Sequence, residues 1–292
     1  MIAVDWGTSS FRAYRLTSDG TVLDKRSAPL GILAVKDGRF AEALEDQIGD
    51  WIGAGEANVI MSGMIGSRQG WKEAPYAHCP AGFPEIAAAM VRVEWSRGSV
   101  WIAPGLTCRD PSGVADVMRG EEVQILGALD LLREPTAWIC LPGTHSKWVR
   151  VEAQRITQFA THMTGEVFAV MKAHSILGRM MSDGPHDMAA FEAGLQRADD
   201  GGGLLHHLFG VRTRGLFGEL ANEQSAAYLS GVLLGHELHS VPERSGVVYV
   251  LGAQELAQLY VHALRARGYE PRLLDPDSAV KGLSRLAALV KD

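Results

Sequence analysis

The sequence predicts an α/β protein built from two halves. Three observations carry that expectation. Segments of strand character alternate along the chain with segments of helical periodicity. A continuous apolar run at residues 247–251 has the composition of a strand buried on both faces of a sheet. A strand–turn–strand pattern at residues 3–16 returns at residues 139–152. At 292 residues the chain also suits two medium domains or one large one.

Taken in order, residues 2–4 and 11–16 predict two strands joined by the turn Gly7–Ser10, and residues 21–27 a third. Helical spacing follows at 40–52. A short strand at 57–61 runs into the glycine-rich "SGMIGSRQGW" of residues 62–71. Pro75, Pro80 and Pro84 make residues 72–85 mostly loop. Another strand is expected at 99–103, and residues 121–133 place Ile125, Leu126, Leu129 and Leu132 on one helical face. The second half opens with a strand at 137–141 and "PGTHSKWVRVE". Helices are then expected at 165–181, 186–198, 202–210 and 223–240. After the 247–251 strand, Gly252 breaks the run, and Leu256, Leu259, Tyr260 and Ala263 form the stripe of the next helix. An amphipathic helix at 278–290 ends the chain. The domain boundaries read from this pattern are 1–135 and 136–292.

Composition narrows the function class. Apolar residues make up 47% and charged residues 21%, as in an ordinary folded soluble protein. A net charge of −6 without a Lys/Arg cluster argues against nucleic-acid binding. Cys79, Cys108 and Cys140 lie far apart without CxxC spacing, which reads as reduced thiols in a cytoplasmic protein. No apolar run approaches 18 residues and the N-terminus lacks a basic leader, so neither a membrane span nor a secretory signal is expected. The ten histidines show no HxH or HxxxH metal pattern, and His206-His207 reads as a helix feature.

The repeat is the feature closest to chemistry. "AVDWGTSSFRAYRL" lies over "ICLPGTHSKWVRVE" at an offset of 136 residues, with Gly7/Gly143, Thr8/Thr144 and Ser10/Ser146 coincident. Two such turns can each offer backbone N–H groups and hydroxyls to phosphate oxygens. Two unrelated β-turns would give the same residues, since Gly and Ser are common in hairpins. Asp5 has Leu141 as its counterpart, so only one copy brings a carboxylate, as one-sided handling of a single Mg²⁺ would require.

The order of "AVDWGTSSFRAYRL", "SGMIGSRQGWKEAPY", "MRGEEVQILGAL", "LPGTHSKWVRV", "THMTGEVFAVMKAHSILGRMM", "FGELANEQSAAYLSGVLLGHEL" and "VYVLGAQELAQLYVHALRARGYE" closely resembles the 2-dehydro-3-deoxygalactonokinases over essentially the whole chain. The resemblance implies two ribonuclease H-like (actin-like ATPase) domains with a cleft between them, the last helix returning across the hinge towards the first. It implies ATP-dependent phosphorylation of the 6-hydroxyl of 2-dehydro-3-deoxy-D-galactonate, with ATP and Mg²⁺ required. The small sugar acid and ATP are then the partners, with a homodimer left open as the assembly.

On this resemblance, Asp5 corresponds to the metal-associated carboxylate, and Gly7, Thr8, Ser9 and Ser10 wrap the transferring end of ATP. Arg12 either balances phosphate charge or is a solvated strand residue. Gly143, Thr144, Ser146 and Lys147 form the second phosphate loop, and Gly252 the adenosine wall. Pro142-Gly143 stands where the wider fold group often has Asp-Gly, so any metal should lean on Asp5. The catalytic base is expected from Glu121, then Glu122, then Asp116, although acidic residues at a helix start also complement its dipole. Ser62, Gly63, Gly66 and Arg68 are the substrate-site candidates, Arg68 because a guanidinium grips a carboxylate bidentately. Arg109 is a second choice, and Trp71 is read as packing. Thr161, His162, Thr164, Gly165 and Glu166 either close on the site or cap a helix. The competing readings are a kinase for another sugar acid such as the gluconate epimer, an exopolyphosphatase-like hydrolase, and a non-catalytic nucleotide or sugar sensor.

Overall fold

The computed structural model describes residues 1–241, 246–275 and 277–290. In chain order the strands of the first part are β1 Ile2–Trp6, β2 Phe11–Leu16, β3 Val22–Ala28, β4 Asn58–Ser62, β5 Tyr76–His78, β6 Val91–Trp95, β7 Gly98–Ile102, β8 Gly105–Arg109 and β9 Ala115–Met118. Helices α1 Phe40–Gly53, α2 Phe83–Ala88 and α3 Glu121–Ala128 intersperse them. The later strands are β10 Thr136–Leu141, β11 Ser146–Glu152, β12 Arg155–His162, β13 Gly246–Val250 and β14 Tyr269–Leu273. The later helices are α4 Thr164–His174, α5 Met188–Arg197, α6 Gly203–Leu216, α7 Ser225–His239, α8 Gln254–Ala266 and α9 Ser278–Leu289.

Two compact units result, and neither is continuous in sequence. The first comprises Met1–Ala137, Val149–Ala160 and Leu274–Asp292, and the second Trp138–Trp148 and Thr161–Leu273. In the first, a six-stranded mixed sheet runs β3-β2-β1-β4-β7-β6, and a small sheet runs β5-β8-β9. β1 pairs antiparallel with β2 but parallel with β4, which puts Asp5 in register with Arg12 on one side and Ser62 on the other. The core joins Ile2, Val4 and Trp6 of β1 to Phe40, Leu44, Ile48 and Trp51 of α1, four apolar residues at helical spacing. Trp6 is wholly buried, edge-on to Phe11 at 4.9 Å and to Phe40 at 5.8 Å. Its indole N–H donates to Leu30 O at 2.7 Å. Edge-to-face pairs of this kind add about 0.5–1.5 kcal/mol each beyond burial, so Trp6 rigidly fixes the backbone that presents Asp5 and Gly7.

The second sheet runs β12-β11-β10-β13-β14. Its order repeats the first, with the opening strand of the repeat flanked by its own following strand on one side and a parallel strand on the other. β13 is parallel to both β10 and β14, and Val248 and Val250 are buried, as the uninterrupted apolar run requires. Phe191 and Leu195 of α5 pack with Tyr228, Leu229 and Val232 of α7 against Trp138 and Trp148.

The sequence expectations differ from these elements in places with clear causes. The helix expected at 165–181 ends at His174 and resumes only as a short turn, Gly178–Met180, packed back so closely that a Cβ at Gly178 would stand 1.8 Å from Lys172 O. The loop expected at 72–85 contains β5, a three-residue strand too short to show alternation. The helix expected at 202–210 continues to Leu216. The helix expected over 121–133 is α-helical to Ala128 and tightens at Leu129–Leu131. No helix among the described residues is long and apolar enough to cross a membrane.

Candidate active site

In the first unit, the carboxyl ends of the parallel neighbours β1 and β4 lie side by side, the usual ligand position on an open α/β sheet. Beyond β1 the chain turns tightly, Gly7 N donating to Ser10 O at 2.9 Å, with Thr8 and Ser9 exposed. Beyond β4 it turns through Gly63 at φ +95°, and the turn before α3 passes through Gly120 at φ +109°. Only glycine adopts these conformations without strain. The two also approach each other closely: a Cβ on Gly120 would stand 3.2 Å from Gly63 Cα. A Cβ on Gly63 would stand 2.7 Å from Trp6 O and 3.3 Å from Asp5 Oδ1. The glycines thus let the Gly63 turn and the start of α3 close in beside Asp5.

The electrostatics of this corner are unbalanced. The Asp5 side chain is 18% exposed, with Arg12 Nη1 3.5 Å from its Oδ2. Desolvation raises the Asp5 pKa, Arg12 opposes the rise, and the nearby Glu121 and Asp277 carboxylates add to it. Glu121 accepts from Arg119 N at 3.1 Å and keeps partial exposure. Glu122 is wholly buried, and Gly120 N donates to both its oxygens at 2.9 and 2.7 Å. Burial first, then Glu121, pushes the Glu122 carboxyl up to about 8. Arg119 underlies the same loop, donating to Ala74 O at 2.8 Å and stacking 4.4 Å over Tyr76.

In the second unit the repeat makes the equivalent corner. Pro142-Gly143 follows β10, and Gly252 follows β13, where a Cβ would stand 3.3 Å from Pro142 O. The start of α4 meets the same turn: Glu166 N donates to Thr144 O at 2.9 Å, and a Cβ on Gly165 would stand 2.4 Å from Gly143 O. His145 Nε2 and a Glu166 carboxylate oxygen are hydrogen-bonded beside it. Next to Gly143 opens a cavity of about 220 Å³, lined mostly by apolar atoms from Phe168, Leu233, Leu234, Leu256 and Leu259, with Thr164 and Tyr260 at its polar edge. Such a lining, with few polar groups, suits a flat organic ligand.

A family described as 2-keto-3-deoxy-galactonokinase matches residues 5–286 of the chain. The chain belongs to the 2-dehydro-3-deoxygalactonokinase family. A "Probable 2-dehydro-3-deoxygalactonokinase DgoK1" of Rhizobium meliloti (strain 1021) is 38% identical over 99% of this chain and 96% of its own length. A 2-dehydro-3-deoxygalactonokinase of Escherichia coli (strain K12) is 35% identical over 99% of this chain and 98% of its own. Among solved structures, a "putative 2-dehydro-3-deoxygalactonokinase protein from Sinorhizobium meliloti" superposes with a TM-score of 0.88 at 36% identity, covering 99% of this chain and 97% of its own. The ADPNP-bound activator of the 2-hydroxyisocaproyl-CoA dehydratase from Clostridium difficile shares the fold at a TM-score of 0.51 and 13% identity. The two α/β units have the actin-like ATPase fold.

Within this kinase fold the expected site residues separate. Asp5, Gly7, Ser10, Gly63 and Glu121 converge at one corner of the first unit, and Gly143, Thr144 and Gly252 at one corner of the second. Ser62 is in register with Asp5, but its side chain is wholly buried; Ser146 and Lys147 are buried too. Gly66 lies under the loop, its α-carbon facing Arg119. Arg68 is 87% exposed and pairs with Glu73 at 3.0 Å, and Arg109 ends β8, donating to Gly113 O at 2.6 Å. Asp116 stands on β9 opposite Cys108, on the small sheet rather than beside Asp5. Trp71 packs edge-on to Trp95 at 6.3 Å.

The sequence reading missed Arg119, Asp277 and Glu237. Asp277 lies far from Asp5 in sequence and gave no motif, yet it bonds Tyr14 at 3.2 Å and Lys25 at 2.7 Å. The histidines, scattered in sequence, do meet: His207 Nδ1 lies 2.9 Å from His236 Nε2. Among the described residues no group of three metal-ligating side chains forms.

Proposed function

We propose that the chain transfers the γ-phosphoryl group of ATP to the 6-hydroxyl of 2-dehydro-3-deoxy-D-galactonate. The observation that carries this reading is the pair Asp5 and Glu121, brought together at the strand ends by facing glycines, in a chain of this family. The corner fits Mg²⁺: two mutually repelling carboxylates, one partly desolvated, offer oxygen ligands to a hard cation. Bound there, the ion would neutralise phosphate charge. Asp5 holds the cation side of the corner, and the Gly7–Ser10 turn offers N–H groups and hydroxyls to the phosphates. Glu121, the more accessible of the two glutamates, accepts the hydroxyl proton as the sugar oxygen bonds to phosphorus and the bond to the bridging oxygen of ADP breaks. Positioning supplies most of the rate, and the base a further ~10²–10⁴-fold. Arg68, exposed on the Gly63–Gly70 loop, is the cation proposed for the substrate carboxylate. The second unit's cavity beside Gly143 and Gly252 takes the adenosine end.

The free cysteines Cys79, Cys108 and Cys140 accord with a reducing cytoplasm. An ADP-release assay with MgATP, run with and without the sugar acid, tests the proposal. Turnover should depend on the sugar acid, and Asp5→Asn and Glu121→Gln should each lower kcat by roughly a hundredfold or more. ADP or phosphate release indifferent to sugar acid would select the hydrolase, and binding without turnover the sensor. The gluconate epimer in the same assay decides the stereochemical preference.

A further inference from the structure

Glu237 is the one buried carboxylate among the described residues of the second unit, 4% exposed in the last turn of α7. A buried charge is costly unless paired or fully hydrogen-bonded. Among the described residues no cation pairs with it; three neutral donors answer it. Trp148 Nε1 donates to Oε1 at 2.8 Å, Tyr260 Oη donates to Oε2 at 2.9 Å, and Thr164 Oγ1 donates to Oε2 as well. The donors come from three elements: Trp148 from β11, two residues after Ser146, Thr164 from the first turn of α4, and Tyr260 from α8. Tyr260 also bonds Ser146, and burial with the Glu237 charge pushes its phenol well above its ordinary pKa, so it stays a neutral donor.

These three elements are the ones that build the site. β11 leaves the Pro142–Ser146 turn, α4 starts against Gly143 and Thr144, and Thr164 and Tyr260 line the cavity beside Gly143. Glu237 is the single group to which the strand, the helix start and α8 are all hydrogen-bonded. We propose that Glu237 is a positioning residue for nucleotide binding, its carboxylate fixing the second phosphate turn and the cavity wall in one relative geometry. This rests on the reading that the cavity takes the adenosine end of ATP. A carboxylate is required rather than any acceptor, because three donors converge and an amide would set its own N–H₂ against one of them.

The test is isothermal titration of the full chain with a non-hydrolysable ATP analogue and Mg²⁺, and separately with the sugar acid, each variant's folding being checked by thermal unfolding. Glu237→Gln should raise the analogue Kd about tenfold while the sugar-acid Kd moves less than about twofold, as expected for lost charge-assisted hydrogen bonds confined to one ligand's site. Trp148→Phe should raise the analogue Kd about threefold, and in that background Glu237→Gln should cost less than it does alone, because the two share one bond. Should Glu237→Gln fail to fold, Trp148→Phe carries the test. An unchanged analogue Kd in the folded variants, or an equal loss for both ligands, overturns the assignment. Leu233→Trp, which fills the cavity directly, separates the two ideas. If it abolishes analogue binding while Glu237→Gln does not weaken it, the cavity stands and Glu237 falls. If Leu233→Trp leaves analogue binding intact, both fall.

Discussion

Arg12 Nη1 stands 3.5 Å from Asp5 Oδ2, from directly opposed positions on β2 and β1. Arg12 is largely exposed, so the pair adds little to folding, of the order of 0–1 kcal/mol. Its consequence is electrostatic: burial raises the Asp5 pKa and Arg12 is the main force opposing that rise. Removing the guanidinium therefore leaves Asp5 protonated over a wider range, and a protonated Asp5 holds no cation. Arg12→Gln should move the acid limb of the kcat/KM profile to higher pH while the alkaline limb stays in place. An acid limb unmoved in Arg12→Gln would show that Asp5 does not govern it.

Glu122 gives the opposite signature, in stability. Its folded-state pKa of about 8 lies above the unfolded carboxylate value of 4.5, so folding takes up a proton between these limits. The stability contributed is full below the lower value and is lost as pH rises through the upper one. Glu122→Gln has no proton to lose, and one amide oxygen still accepts from Gly120 N. Between pH 6 and pH 9 the unaltered chain should lose roughly 5 °C more in Tm than Glu122→Gln does. Because Glu122 is wholly buried while Glu121 is not, Glu122→Gln should also keep kcat within about tenfold, where Glu121→Gln does not. Parallel Tm–pH curves would refute the buried-proton account.

What was legible in the sequence follows the range of the interactions. The two turns were readable because each is local: a strand end, a glycine and hydroxyls within six residues, given twice. The shared strand order of both sheets then follows from that repeat. Asp5 and Glu121 were readable as chemistry, since both sit at strand–turn or turn–helix junctions. Choosing between Glu121 and Glu122 was not, because it depends on which side of α3 faces the core. Glu237 and Asp277 were invisible for a similar reason: their partners lie up to 89 and 263 residues away, and no pattern marks a lone acid inside a helix or just before one. Arg68 was legible by residue type alone, while its surface pairing with Glu73 was not.

Two glycines should separate the two ends of the reaction. A Cβ at Gly165 would stand 2.4 Å from Gly143 O and 2.8 Å from Thr144 Cα, both backbone atoms that cannot rotate away. Gly165→Ala must therefore displace the second phosphate turn, and the ATP KM should rise about tenfold or more while the sugar-acid KM stays within about twofold. At Gly63 the left-handed backbone alone costs an alanine roughly 1–2 kcal/mol, and its Cβ would meet Trp6 O at 2.7 Å and Asp5 Oδ1 at 3.3 Å. Gly63→Ala displaces Asp5 without touching the second unit's cavity, so kcat should fall at least tenfold with the ATP KM nearly unchanged. Steady-state kinetics with each substrate varied in turn decides this. If both variants raised the same KM, the division of labour between the first unit's carboxylate corner and the second unit's nucleotide corner would be wrong.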